Sequence, residues 1–322
     1  MCALTLYSEL RISRSFFYPL ARELGQHAGG GEKEIYMENR LRIAVQKSGR
    51  LSEKSLQIIR DCGIKFGSDS RLLKEEADNF PIEFLYLRDD DIPRYVYDGV
   101  ADIGIVGRNE FDEQDLPLEV IRDLGFSKCR LSIAVPNEFA YTGIASLAQK
   151  RIATSYPGIL SKKLKESGVD ARIYEISGSV EITPSIGVAD AICDLVSTGA
   201  TLASNGLREV EAIYYSTAIM IGHPGLSEEK RTILDRLMLR IDAVMRADDY
   251  KYIMFNLPKE HLDQAAAIIG GMKSPTVTPL MDESWCAVQT VVRETRFWDV
   301  LEQLKELGAQ GILVTAIEKM AD

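Results

Sequence analysis

Short apolar runs alternate with helical spacing along most of this chain. LRIAV at 41–45 reads as a strand, and a polar loop with a glycine follows it. Beyond the loop, Leu51, Ser55, Ile58 and Ile59 recur at helical spacing until Cys62-Gly63 ends the pattern. The succession returns later. RIAVQKSGRLSEK (42–54) and RIATSYPGILSKK (151–163) share Arg, Ile, Ala, Gly, Leu, Ser and Lys at matching positions. A second echo follows each copy in the same order, GVADIGIVG at 99–107 and GVADAICDLVSTG at 187–199. A repeat of this kind reveals architecture. Strands alternating with helices predict parallel or mixed sheets covered on both faces. Two such units in tandem predict two lobes with a cleft between them. Loops at 46–50, 104–108, 154–158 and 197–201 follow strands, where open α/β sheets bind their ligands.

AIYYSTAIMIG (212–222) reads as one strand and SEEKRTILDRLMLRIDAVMRA (227–247) as a long amphipathic helix capped by Ser227. This segment is expected to return to the first lobe. Lobe 1 is then 37–127 with 213–246, and lobe 2 is 128–212. Residues 247–322 form a third unit. KYIMFNLP, TVTPLM, WCAVQTVV and GILVTAI read as strands, with helices over KEHLDQAAAIIGG and TRFWDVLEQLKELG. The order βαββαβ is the ferredoxin-like pattern. This unit offers no obvious catalytic residue and suits effector binding or oligomerisation.

Composition narrows the function. The 322 residues carry a formal net charge of −10, against a general nucleic-acid binder. The five cysteines form no CxxC pair and the three histidines are scattered, so neither a disulfide framework nor a zinc hydrolase is expected. A reduced, cytoplasmic setting is the simplest reading. No apolar stretch approaches the ~20 residues of a membrane span. Residues 1–36 look detached: they end in HAGGGEKEIY, whose GGGEKE can be encoded by purines alone, as a ribosome-binding site is. Met37 is therefore expected as the natural start, with 1–36 an extension outside the fold. The mass of the protein from its native source tests this.

Candidate chemistry lies in the loops. After the strand ICDLV, Ser197, Thr198, Gly199, Ala200 and Thr201 open a helix. Such a loop is either an ordinary capped turn or a phosphate cradle of amides and hydroxyls. It lacks the Gly-Lys-Ser/Thr of a Walker loop. Asp194, just before it, suits sugar hydroxyls beside a phosphate, or else partners the helix dipole. Glu181, in the turn SGSVE, is placed to reach the same cleft. In lobe 1, Lys47 and Arg50 flank Gly49, either as solvated loop charges or as an anion site. RDDDIP (88–93) is an acidic turn holding Arg88, or a Mg²⁺ or ligand contact. Arg108 follows GIVG and is a further cation for the cleft.

These segments resemble a known family. RIAVQKSGRLSEKS, LRDDDIP, DGVADIGIVG, RIATSYP, SGSVE and above all ADAICDLVSTGATLASNGLREVE are similar to ATP phosphoribosyltransferases, the first enzymes of histidine biosynthesis. SPTVTPLMDESWCAVQTVV and the last unit resemble the long, hexameric form with its C-terminal regulatory domain. The likeness spans about residues 38–320. It implies an α/β, bilobal, periplasmic-binding-protein-like core plus a ferredoxin-like (ACT-like) domain. It implies that a ring nitrogen of ATP displaces pyrophosphate from phosphoribosyl pyrophosphate, with Mg²⁺ bound mainly through substrate. Ser197 to Thr201 would hold the donor 5-phosphate, with Asp194 and Glu181 as donor-site acids. Lys47, Gly49, Arg50 and Arg88 would line the ATP and pyrophosphate side. Histidine, as feedback inhibitor, would meet Asn256, Met272, Thr276, Val291 and Gly311. The partners implied are the two substrates, histidine and further copies of the chain, from dimer to hexamer. No enzyme nucleophile is required, which agrees with the lack of Ser–His or Cys–His motifs. Two rivals remain at this point: a two-lobed solute-binding module, and a catalytically silent regulatory subunit.

Overall fold

The central apolar runs become buried strands in the computed structural model, which describes residues 39–67, 72–270 and 274–321, whereas the strands Thr276–Pro279 and Gln310–Ala316 are mostly exposed. The expectations for residues 1–36, Met37 and Met272 lie outside the described residues. In chain order the elements are β1 (Leu41–Gln46), α1 (Arg50–Asp61), β2 (Lys74–Glu76), β3 (Ile82–Leu87), α2 (Ile92–Tyr97), β4 (Ile103–Gly107), α3 (Arg108–Gln114) and β5 (Glu119–Asp123). Then come β6 (Cys129–Pro136), β7 (Arg151–Thr154), α4 (Pro157–Glu166), β8 (Arg172–Glu175), β9 (Ala191–Val196), α5 (Ala200–Ser204) and β10 (Leu207–Ser216). The chain continues through β11 (Ala218–Gly222), α6 (Glu228–Asp248), β12 (Tyr250–Pro258), α7 (Leu262–Ile269), β13 (Thr276–Pro279), β14 (Trp285–Arg293), α8 (Phe297–Glu306) and β15 (Gln310–Ala316).

Three sheets result. The first runs β2-β3-β1-β4-β11-β5, the second β10-β6-β9-β7-β8 and the third β13-β14-β12-β15. The repeated strands β1 and β7 pair in parallel with β3 and β4, and with β8 and β9. Strands that pass between the lobes add antiparallel pairs, so both core sheets are mixed. The chain crosses between lobes twice, from β5 to β6 and from β10 to β11. This two-crossover α/β pair of lobes is the bilobal, periplasmic-binding-protein-like core. The third sheet is antiparallel throughout and ferredoxin-like in order.

The strand read over AIYYSTAIMIG is two strands, and Thr217 separates them. Its Oγ1 donates to Asp123 Oδ1 at 2.9 Å, and its carbonyl accepts from the Arg108 amide. Hydrophobic spacing carries no trace of this switch, because both halves are apolar.

Helix α6 begins where Ser227 predicts, its Oγ accepting from the Lys230 amide. Ile233, Leu234, Leu237, Ile241 and Val244 form its buried stripe against the face of the first sheet that α1 also covers. Ile92 and Val96 of α2 cover the opposite face.

The repeat has a physical cause. In lobe 1 the Arg42 amide donates to Asp102 Oδ2 at 2.8 Å, and the Arg42 guanidinium donates to the Gly99 carbonyl. In lobe 2 the Arg151 amide donates to Asp190 Oδ2 at 2.9 Å, and its guanidinium to the Gly187 carbonyl. Each Arg-Ile-Ala strand is thus clamped by the Gly-Val-Ala-Asp turn of its own lobe. The copies differ in what completes the pair. Lys230 Nζ sits 2.8 Å from both Asp102 oxygens, whereas the Arg151 guanidinium itself binds Asp190.

Candidate active site

A cavity of about 570 Å³ opens between the lobes. Lobe 1 contributes Gln46, Arg50 and Lys54, and lobe 2 contributes Leu195 and Ser197. Arg50 opens α1 and Lys54 follows one turn later, so both present charge from the same helical face. Gly49 precedes them at φ 104°, a backbone angle that favours glycine. Lys47 and Gly49 are exposed beside this wall. Arg88 is exposed and forks onto Asp90 at 3.0 and 2.9 Å, while its neighbour Asp89 lines the cavity. Arg108 lies 3.8 Å from Asp123.

On lobe 2, β9 runs straight into the small-residue loop. Gly199, at φ 79°, forms the entry to α5, whose first amides have no intrahelical acceptor. Ser197, Thr198, Ala200 and Thr201 are exposed around it. Asp194 is half-buried, and burial above all holds its carboxyl above the usual range. The Leu195 amide partly offsets this, and the charge of Glu181 adds to it. Glu181, half-buried in a single helical turn after Ser179, is therefore brought near Asp194.

The loop Ser155–Gly158 meets lobe 1 directly. The Tyr156 hydroxyl donates to Glu110 Oε1 at 2.6 Å and accepts from Asn109 Nδ2 at 3.2 Å. Asn109 also donates from Nδ2 to Glu110 Oε1 at 3.0 Å. Its amide and Oδ1 both engage Ser216 Oγ, at 3.1 and 2.7 Å. One turn on, Glu113 accepts from the Gly158 and Ile159 amides at 2.6 and 2.9 Å, capping α4 from the other lobe. Asp112 accepts from the Tyr214 hydroxyl. Helix α3 is thus a clasp across the cleft. Asn109 and Glu110 line the cavity as well. Burial is the main cause that pushes the Glu110 carboxyl up to about 7. The Tyr156 hydrogen bond lowers it, and the charges of Asp89, Asp90 and Glu113 raise it further.

Sequence reading missed Asn109, Glu110, Glu113 and Tyr156, because their partners are far away in the chain. Lys54 was findable, four residues beyond Arg50. A wider groove of about 1000 Å³ lies between α1, α6 and the start of β12 and shares Lys54, Gly125 and Phe126 with the cleft. It contains none of the donor-side residues, and its Arg122 and Asp242 pair at 2.7 Å.

In the third sheet, Ile253, Phe255, Leu257 and Val288 pack against α7 and α8. Asn256 pairs in register with Ala287, Thr276 with Gln289 and Val291 with Tyr252. Strand alternation puts Asn256, Thr276 and Val291 on the face away from the helices. Gly311, at φ 60°, adjoins Asn256: an added Cβ would lie 3.7 Å from its Nδ2. Among the described residues no group of three or more His, Cys, Asp or Glu could hold a metal, and no helix is long and apolar enough to cross a membrane.

A family model described as ATP phosphoribosyltransferase matches residues 88–243, and one described as HisG, C-terminal domain matches 247–319. An ATP phosphoribosyltransferase of Cytophaga hutchinsonii is 56% identical over 284 residues, 88% of this chain and 99% of its own length. One of Bacteroides fragilis is 52% identical over 280 residues, 87% of this chain and 99% of its own. In three dimensions, a chain of the ATP phosphoribosyl transferase (HisG:HisZ) complex from Thermotoga maritima is 30% identical with a TM-score of 0.53, covering 63% of this chain and 98% of that one. By these matches the chain belongs to the ATP phosphoribosyltransferase family, in its long form with the C-terminal domain.

Proposed function

We propose that the interlobe cleft of this ATP phosphoribosyltransferase holds its two substrates from opposite lobes. The observation that carries the reading is the shared cavity, with Arg50 and Lys54 on one wall and Leu195 and Ser197 on the other. The donor's 5-phosphate sits at Ser197, Thr198, Gly199, Ala200 and Thr201, on free amides and hydroxyls. Asp194 and Glu181 take the ribose hydroxyls. A carboxylate so placed cannot face phosphate directly, because like charges repel. Lys47, Gly49 and Arg50, with Lys54, line the ATP and pyrophosphate side. Arg88 joins them by exchanging Asp90 for phosphate.

The ring nitrogen of adenine attacks the anomeric carbon as its bond to pyrophosphate breaks, and the bonding pair leaves with pyrophosphate. The chain supplies orientation and electrostatic complementarity, with no nucleophile of its own. Asp194 and Glu181 fit a Mg²⁺ ion in character: the charge of Glu181 raises the proton affinity of Asp194, and no cation is paired with Asp194 among the described residues. Mg²⁺ binds such sites through one or two carboxylates plus substrate oxygens, and supplies neutralisation of the phosphate charge.

In the C-terminal domain, histidine binds at Asn256, Thr276, Val291 and Gly311, with Met272, and lowers activity by favouring the less active state. Copies of the chain assemble between dimer and hexamer. Cys62, Cys129, Cys193 and Cys286 are free thiols, which suits a reducing cytoplasm. Pyrophosphate release from ATP and phosphoribosyl pyrophosphate, measured with and without histidine, tests the whole reading. No turnover by folded protein would remove the activity. Turnover indifferent to millimolar histidine would remove the regulation alone.

A further inference from the structure

Glu110 is an acid in an expensive position. It lies in the cleft beside Asp89, Asp90 and Glu113, whose charges all oppose its ionisation. As a clasp it needs only Oε1, which accepts from both Tyr156 and Asn109. A glutamine would supply that acceptor without burying charge. The second oxygen, Oε2, takes part in none of these bonds, and Glu110 faces the cavity. Two hydrogen bonds therefore fix the carboxylate while one oxygen is left for a ligand.

The substrates narrow what that ligand atom is. Phosphates are repelled by Glu110 and drawn to Arg50, Lys54 and Lys128 on the cavity wall. The donor's ribose hydroxyls are assigned to Asp194 and Glu181. The neutral donors that remain are ATP's own ribose hydroxyls and the 6-amino group of adenine, and only the amino group becomes acidic when the ring is alkylated. Leu51, Phe126, Leu195 and Ala218 give the same cavity apolar surface for a purine ring. Alkylating the ring nitrogen N1 leaves adenine with one positive charge, which is relieved when the 6-amino nitrogen loses a proton.

We propose that Glu110 is a catalytic residue whose Oε2 accepts a hydrogen bond from the 6-amino group of ATP and takes its proton as N1 is alkylated. The N1–C1 bond forms and the C1–oxygen bond breaks, with the electron pair leaving on pyrophosphate. The amino nitrogen then gives a proton to Oε2 and keeps the N–H pair as the imine bond to the ring. Glu110 returns the proton to water through the cavity mouth. A base is most effective when it titrates near the working pH. Burial puts Glu110 at about 7. The groups that face it are Tyr156 from the entry to α4, Asp89 and Asp90 from their turn, Glu113 from its own helix and Cys129 from β6.

This rests on the donor site at Ser197–Thr201, and the experiment separates the two. Steady-state kinetics of wild type and Glu110→Gln are measured from pH 5.5 to 9 with ATP and with purine riboside 5′-triphosphate, which keeps N1 but has no amino group. With ATP, Glu110→Gln lowers kcat/KM about 10²-fold, and the rise of activity with pH through about 7 disappears. With the purine riboside, which has no proton to lose, the two enzymes agree within about threefold. Tyr156→Phe removes a bond that favours the carboxylate, so its rising limb moves to higher pH. Equal losses on both nucleotides, a limb that persists in Glu110→Gln, or a limb unmoved in Tyr156→Phe would overturn the proposal. The donor site is read independently by the KM for phosphoribosyl pyrophosphate in Asp194→Ala. An unchanged KM there defeats the donor site, whatever Glu110 does.

Discussion

Asp102 and Asp190 occupy the same place in the two copies of the repeat, and the structure predicts that their loss is felt unequally. Side-chain exposure is 8% for Asp102 and 17% for its partner Lys230, but 33% for Asp190 and 36% for Arg151. Asp102→Ala strands a buried ammonium and leaves the Arg42 amide without its acceptor. Removing one member of a buried pair costs about 3–5 kcal/mol, and the lower end applies because Lys230 keeps some access to water. Asp190→Ala frees a guanidinium that is already one-third exposed and still bonded to the Gly187 carbonyl. Half-exposed pairs contribute roughly 1 kcal/mol, and the lost amide bond a similar amount. Global unfolding is a poor readout, since a multidomain chain need not melt in one step. Both tryptophans, Trp285 and Trp298, also lie in the C-terminal domain, so their fluorescence reports the wrong unit. Native-state amide exchange reads each strand separately. At about 1.4 kcal/mol per factor of ten, Asp102→Ala should raise opening of β1 somewhat more than about 10²-fold, and Asp190→Ala that of β7 only about thirtyfold. Equal increases, or a larger one in β7, would refute the argument from burial.

Three further outcomes follow from the cleft. Asp194→Ala lowers turnover by at least about tenfold more than Asp98→Ala, which removes only an exposed i,i+4 partner of Arg94; equal losses in pyrophosphate release would show the donor site to be misplaced. Glu110 has a folded pKa raised from 4.5 to about 7, so it favours the folded state most at low pH and loses that contribution as pH rises through 7. The ceiling across that window is about 3 kcal/mol, and partial exposure brings it to roughly 1–2 kcal/mol. Between pH 5 and 8, wild type should therefore lose more stability to urea than Glu110→Gln, and parallel losses would contradict the burial cost. Glu113→Ala uncaps α4 from across the cleft; exchange at Gly158 and Ile159 should quicken by about fivefold, as the loss of a cap worth ~1 kcal/mol requires.

Much of this was legible in the residues. The repeat, the two lobes, the ferredoxin-like unit and the cap at Ser227 follow from hydrophobic period and short motifs, whose causes are local. The loop after ICDLV could be located but not interpreted from pattern alone, since a capped turn and a phosphate cradle share one chemistry. Family resemblance supplied the interpretation. Strand β2, made of Lys-Glu-Glu, has no apolar signal because it pairs on only one side, at the sheet edge. The crossing at Thr217 was hidden by apolar residues on both flanks.

What the sequence determined by itself is the set of elements and the family, because strand period, turn residues and repeated motifs act over a few neighbours. What only the tertiary structure decided is the clasp at the cleft. Glu110 and Tyr156 lie 46 residues apart, and Asn109 and Ser216 lie 107 apart. Nothing in their own surroundings in the chain marks them. Folding brings Glu110 against a tyrosine, an asparagine and three other acids, and it is that assembled, partly dry environment that raises its affinity for a proton.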